Sequence, residues 1–163
     1  MLIRIRAAAL NYLDLAVARG QFGQADDDAF VPGTDGAGEI VAMGDRVRGW
    51  RVGERVIVGL IVDWAGGSLT PLTGQRLCGV TFPGLLAEYA VVPASALVKM
   101  TDALSFTQAA TLPIAATTAW NAIVAGDVRS GSTFVTQGTG GVSLFELSLA
   151  KAACARDRHV VIG

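Results

Sequence analysis

The sequence predicts a mixed architecture, with a β-rich first part of about 115 residues followed by the opening of a doubly wound α/β unit. Three observations carry this. Short alternating or apolar runs separated by glycine turns fill the first two thirds of the chain. From Ser105 the spacing of apolar residues turns helical. The order then becomes helix, strand, glycine cluster and helix, ending in "VTQGTGGVSLFELSLAKA" at 135–152.

The first element is "LIRIRAA", in which Ile3 and Ile5 alternate with Arg4 and Arg6, the period-two pattern of a half-buried strand. "LDLAVARG" reads as a short helix. "GEIVAMG", "ERVIVGLIV" and "LLAEYAVVP" are further strand candidates, and "GDRVRGWRVG" supplies turn glycines between two of them. In "SFTQAATLPIAATTAWNAIVAG", Ser105 and Thr107 offer a polar helix start, and Pro113 is expected to break or begin a helix because it has no N–H to donate. "STFVTQ" is the strand that enters the glycine cluster. The domain boundary is expected near Ala116 to Trp120, giving portions 1–117 and 118–163. No internal repeat or low-complexity tract is visible.

Composition narrows the function. Of the 163 residues 52% are hydrophobic, yet the longest apolar run, Val56 to Val62, is too short to span a bilayer. The Ala-rich stretch after Arg4 and Arg6 is interrupted by Asn11 and Asp14 and lacks the apolar core of a signal peptide, so a cytoplasmic protein without a membrane segment is expected. Thirteen basic and fourteen acidic residues, with no block of like charge, argue against a nucleic-acid partner. Cys78 and Cys154 form no CxxC pair and His159 is the single histidine, which is too few ligands for zinc. No metal is expected.

The glycine turn is the first candidate site. In a dinucleotide fold the first strand ends in such a turn, and free N–H groups and the helix dipole face the pyrophosphate. Here Gly138 and Gly140 occupy the first two glycine positions of GxGxxG, Thr139 lies between them, and Gly141, Val142 and Ser143 complete the turn, with Ser143 at the third glycine position. Val142, Phe145 and Leu149 supply the expected buried stripe of the following helix. The same pattern also fits a purely structural strand-to-helix turn.

Six ordered blocks extend this signal over nearly the whole chain: "RIRAAALNYLDLAVARGQFG", "VPGTDGAGEIVAMGDRV", "WRVGERV", "LLAEYAVVP", "AATLPIAATTAWNAI" and "VTQGTGGVSLFELSLAKAA". Together they resemble the medium-chain dehydrogenase/reductases, and within them the zinc-independent, quinone-oxidoreductase-like branch. The resemblance implies a GroES-like β-rich partial barrel followed by the first βα unit of a Rossmann fold. It also implies NADPH or NADH bound between the two domains, and hydride transfer to quinones, enones or alcohol/carbonyl pairs. Where zinc-dependent members carry Gly-His-Glu this chain has Gly33-Thr34-Asp35; where they carry a ligand cysteine it has Asn11-Tyr12-Leu13-Asp14, and the structural-zinc cysteine cluster is missing.

Carried over by position, Asn11, Tyr12 and Asp14 would line the substrate and nicotinamide side of the site, and Thr118 in "TTAW" would approach the nicotinamide. The Tyr12 hydroxyl can donate a hydrogen bond to a carbonyl oxygen that becomes anionic as hydride arrives. The residues themselves leave other roles open: a packed aromatic for Tyr12, a helix cap for Asp14, a turn hydroxyl for Thr118. Asp35, between glycines, reads as a turn residue.

Members of the resembled family are about twice this long, so truncation at both ends is expected, together with impaired activity. The tail "CARDRHVVIG" departs from the family's pattern, and a one-base shift in one choice of codons restores a family-like "ARVIATSS"; a frameshifted tail, with Cys154 and His159 accidental, is the expectation. An uncovered sheet edge and helix stripe would favour a homo-oligomer or strand exchange. A nucleotide- or partner-binding fragment without turnover is the alternative function. A hydrolase using Ser143 is a third reading, although GxSxG is incomplete and only His159 is at hand as a base.

Overall fold

The computed structural model describes residues 1–22, 30–71, 74–153 and, for the backbone only, 156–160. The chain divides into two compact units, Met1–Ile114 and Ala115–Gly163.

The first unit is built on a five-stranded antiparallel sheet. Its strands are β1 (Leu2–Ala9), β2 (Asp35–Ala42), β3 (Arg55–Val58), β4 (Tyr89–Val91) and β5 (Leu97–Lys99), in the order β4-β1-β2-β3-β5. The alternation read in "LIRIRAA" holds: Ile3 is buried and Ile5 partly buried, while Arg4 and Arg6 face solvent, where Arg6 pairs with Glu39 on the neighbouring strand at 2.7 Å. Ile3, Ile40, Val56, Val58, Val62, Cys78 and Leu85 form a fully buried core under the sheet. Each of the larger aliphatic side chains there contributes on the order of 1.5–3 kcal/mol by leaving water.

Only part of each longer apolar run is strand. "ERVIVGLIV" pairs over Arg55–Val58 and "LLAEYAVVP" over Tyr89–Val91. A second cluster, Ala37, Met100, Ala109 and Ala110, seats helix α2 (Phe106–Ala110) against β1 and β2. Ser105 caps α2 as its polar start implied, accepting the Gln108 N–H while the Gln108 side chain returns to the Ser105 N–H.

Helix α2 ends at Ala110 with Thr111 as its C-cap, and a π-helical turn, Leu112–Ala116, follows with Pro113 as its second residue and leads into α3 (Thr117–Ala125). Of the break or start expected of Pro113, the structure has it near a helical start, where a missing N–H costs least.

In the second unit, α3 is followed by β6 (Thr133–Gln137), α4 (Gly141–Ala152) and β7 (Arg156–Val160), with β6 and β7 paired in parallel. The strand, turn, helix and parallel strand form a βαβ unit. The βα unit expected from the sequence is present, and the backbone at Arg156–Val160 adds a second, parallel strand to it. His159 stands opposite Thr136 in that register, and Cys154 lies outside the described residues. Ala150 is the fully buried position of α4, whereas Val142, Phe145 and Leu149, read as its buried stripe, are only partly buried.

Candidate functional site

Two places gather the residues singled out from the sequence, one in each unit. In the first unit the sheet register sets the place. Ala9, the last residue of β1, lies opposite Asp35, the first of β2. The chain leaves β1 through Leu10 and turns at Asn11 into helix α1 (Tyr12–Ala18). The start of that helix therefore meets the start of β2.

Asn11 is the N-cap of α1 and Asp14 completes a capping box, accepting the Asn11 N–H at 2.6 Å on Oδ2. The cap reading of Asp14 is thus correct but incomplete. Its Oδ1 also accepts the Thr34 N–H at 2.9 Å, and its Oδ2 the Thr34 hydroxyl at 3.2 Å. The Thr34 hydroxyl in turn accepts the Asn11 Nδ2–H at 3.2 Å. Thr34 is fully buried, and its backbone is held by Gly33, whose φ of +101° and close approach to the Leu86 N–H exclude a side chain. Backbone bonds from Leu85 to Gly33 and from Leu86 to Pro32, both 2.9 Å, pin this segment.

Asp35 is not a turn residue. It opens β2, is 1% exposed, accepts the Ile114 N–H on Oδ2 at 3.3 Å, and leaves Oδ1 buried without a hydrogen-bond partner among the described residues. Burial pushes its carboxyl up to about 6; the nearby Asn11 amide and the Ile114 N–H, which donates to it, oppose the rise, and the Asp14 charge adds to it. Burial, with the Asp35 charge, also pushes the neighbouring Cys78 thiol up to about 12, and Cys78 donates to the Pro83 carbonyl at 3.3 Å. That cysteine is a packed thiol, not a nucleophile.

Thr34 and Asp35 are the members of this cluster that the sequence reading did not select. The available signal was their position after a glycine within "PGTDGAG", where small residues let two strands and a helix start crowd together. Tyr12, by contrast, is 73% exposed at the first turn of α1, with Leu15 also exposed on that helix. It is not a packed aromatic.

The second place is the glycine turn, which lies in the second unit between β6 and α4, as does Thr118, exposed on α3. Gly138 has φ of +83°, a conformation that L side chains rarely adopt. Gly140 is the N-cap of the twelve-residue helix α4 and has no side-chain cap bond. Its φ and ψ of −71° and 164° suit any residue, and a Cβ placed on it, or on Gly138, meets nothing within 4 Å. Among the described residues nothing requires a glycine at 140, and the space in front of the α4 N-terminus is open. Gly141 fits closely, with Ala115 Cβ 3.5 Å from where its own Cβ would be. Ser143 donates to the Gln137 carbonyl at 2.7 Å, tying the helix start to the strand end. The turn leaves room for a group the size of a phosphate before the α4 N-terminus.

The first-unit cluster does not fit a metal ion in the same way. Among the described residues no group of three or more His, Cys, Asp or Glu side chains converges, and both Asp14 oxygens are engaged by N–H and O–H donors. No helix among the described residues is long and apolar enough to cross a membrane.

The chain is similar to known proteins in sequence and fold. Residues 1–102 match the model of the alcohol dehydrogenase GroES-like domain. A zinc-type alcohol dehydrogenase-like protein of Schizosaccharomyces pombe is 39% identical over 158 residues, which cover 95% of this chain and 46% of that protein. A 2-methylene-furan-3-one reductase of Solanum lycopersicum is 37% identical over 153 residues, 93% of this chain and 36% of that protein. A crystal structure assigned as an alcohol dehydrogenase from Sinorhizobium meliloti superposes with a TM-score of 0.89 at 38% identity, covering 97% of this chain and 48% of that one. The chain spans about half the length or less of the relatives it matches.

Proposed function

Because the chain belongs to the medium-chain dehydrogenase/reductases through its alcohol dehydrogenase GroES-like domain, we propose that it acts as an NAD(P)H-dependent oxidoreductase on quinones, enones or alcohol/carbonyl pairs. The observation that carries this reading is Gly140, a glycine with ordinary backbone angles and empty space before a helix N-terminus. Such a position is explained by close approach of a ligand's phosphates to the backbone.

The nicotinamide, when bound, supplies or removes the hydride. The chain's own groups do the rest. The amides of Gly138 to Ser143 hold the pyrophosphate. Tyr12, exposed at the start of α1, donates its hydroxyl proton in a hydrogen bond to the substrate oxygen as negative charge develops there. Asn11 is held by Thr34 and presents its amide to the bound ligand, Asp14 fixes Thr34 and the helix start, and Thr118 flanks the nicotinamide.

The reading is zinc-independent. Thr34 and Asp35 stand where the resembled zinc enzymes carry histidine and glutamate, and the Asp14 lone pairs face donors. It also includes self-association, since Trp120, Val124, Val135 and Leu144 of the second unit each expose half or more of their surface.

Fluorescence titration of the purified chain with NADPH and NADH, followed by cofactor oxidation with a quinone, tests the proposal. Saturable binding with quinone-dependent oxidation is the expected result. Binding without turnover would make the chain a nucleotide-binding fragment, and absence of both would remove the oxidoreductase reading.

A further inference from the structure

Helix α1 does not fix its own first residue by packing. It has seven residues, fewer than the roughly 12–15 an isolated helix needs, and Ala16 is its one buried residue. Tyr12 and Leu15, a turn apart on one face, are both exposed. What holds the first turn is polar and comes from Thr34, the residue before β2. Thr34 reaches both ends of that turn: the Asn11 Nδ2–H donates to its hydroxyl at 3.2 Å, and Asp14 accepts its N–H at 2.9 Å and its hydroxyl at 3.2 Å. Tyr12 stands between these two anchored positions.

The Thr34 hydroxyl is used in both directions. A carboxylate can only accept, so the hydroxyl proton goes to Asp14 and an oxygen lone pair takes the Asn11 N–H. Valine has nearly the same shape and would spare the cost of burying a hydroxyl where the residue has no exposed surface. The threonine is therefore explained by the bonds it makes, not by the volume it fills. Its own place is set from behind, where the carbonyls of Pro32 and Gly33 accept the Leu86 and Leu85 N–H groups, both at 2.9 Å.

We propose that Thr34 is a positioning residue for Tyr12: its hydroxyl ties both ends of the first turn of α1 to the buried start of β2, and so sets where the Tyr12 hydroxyl stands. The inference rests on the oxidoreductase reading in giving that hydroxyl a substrate oxygen to meet; the anchoring itself rests on the hydrogen bonds alone. A group displaced by about 1 Å from its productive place loses on the order of a hundredfold in rate. A residue that never touches the substrate thereby controls turnover through the helix start.

Thr34→Val tests this, because it removes the hydroxyl and keeps the volume. Tyr12 and Tyr89 are the two tyrosines of the chain, so fluorotyrosine labelling of the full chain gives two fluorine resonances, assigned by the loss of one in Tyr12→Phe. In Thr34→Val the Tyr12 resonance is expected to narrow and move toward that of the free amino acid, while Tyr89, on β4, stays where it was. Thr34→Ser, which returns the hydroxyl, should restore the wild-type signal. Quinone-dependent NADPH oxidation should follow the same order, with kcat down at least about tenfold in Thr34→Val and NADPH affinity within about twofold. A Tyr12 resonance unmoved in folded Thr34→Val would overturn the proposal, and so would a change that Thr34→Ser fails to restore. A Tyr12 that moves while kcat of an active enzyme holds would leave a structural anchor and overturn the positioning role. Should Thr34→Val not fold, Asn11→Ser, which keeps an N-cap oxygen but whose shorter side chain gives up the bond to Thr34, decides by the same resonance. Movement there supports the proposal and a fixed signal overturns it. The fluorine readout needs neither cofactor nor turnover, so an inactive wild type with a responsive Tyr12 would remove the oxidoreductase reading and leave the anchor standing.

Discussion

Asp14 accepts the backbone N–H of Thr34 at 2.9 Å and its hydroxyl at 3.2 Å, joining residues 20 positions apart at the point where helix α1 and strand β2 begin. The same carboxylate caps α1 through the Asn11 N–H. Removing it leaves a fully buried Thr34 with an unpaired N–H and an unpaired O–H donor, and takes away the half of the capping box that holds the Asn11 N–H. Asp14→Ala should therefore destabilise the protein by about 2–4 kcal/mol, combining a lost cap with buried unpaired donors. Asp14→Asn, which keeps one acceptor oxygen, should cost less. Urea denaturation of the three proteins measures both, and equal midpoints for wild type and Asp14→Ala would show the network to be energetically idle.

Much of this was legible in the residues. The alternation of Ile3 and Ile5 with Arg4 and Arg6 fixes a strand face, and a glycine turn between an apolar strand and a helical stripe fixes a βα unit. Asp14 could be read as a cap because capping is local. Thr34 and Asp35 could not be placed, since their partners arrive from α1 and from Ile114, up to 79 residues away, through a sheet register no local pattern encodes. Pro113 could be read as a break or a start but not as which, since the π-helical turn that begins beside it at Leu112 follows no local pattern.

Gly140 offers a separation of stability from binding. Its backbone angles and empty surroundings mean that Gly140→Val should leave the melting behaviour nearly unchanged, within about 0.5 kcal/mol. The same side chain would stand between the turn amides and a pyrophosphate, so NAD(P)H binding should fall by at least about tenfold, roughly 1.4 kcal/mol. Gly138→Val is expected to differ, costing about 1–2 kcal/mol of stability because φ is +83° there. Calorimetric titration and thermal denaturation of both variants check the contrast. Unchanged affinity in Gly140→Val would mean that the turn holds no nucleotide.

Metal dependence is the next discriminator. A ligand at a concentration 100 times its Kd raises stability by about 2.7 kcal/mol. With no convergent ligand set among the described residues, neither added zinc nor a chelator should shift the melting temperature, and purified protein should lack stoichiometric zinc. A chelator-induced drop in melting temperature, reversed by zinc, would refute the zinc-independent reading.

Asp35 makes stability depend on pH in a direction opposite to that of a salt-bridged carboxylate. Burial raises its carboxyl from 3.8 to about 6, so the folded protein holds this proton more tightly than the unfolded chain does. Below about pH 3.8 the group is protonated in both states and contributes nothing. Between 3.8 and about 6 the unfolded chain loses the proton first, and stability falls as pH rises. Above about 6 both states are ionised and the penalty is constant, at most about 3 kcal/mol for a gap of about two pH units. Asp35→Asn cannot ionise and still offers an oxygen to the Ile114 N–H at the same position. It should therefore be more stable than wild type at pH 8 by up to that amount, with the advantage shrinking toward pH 4. Chemical denaturation of both proteins at pH 4.5, 6 and 8 gives the three differences. An advantage that is the same at every pH would show that the charge of Asp35 has no cost in the folded protein, whatever the substitution does to packing.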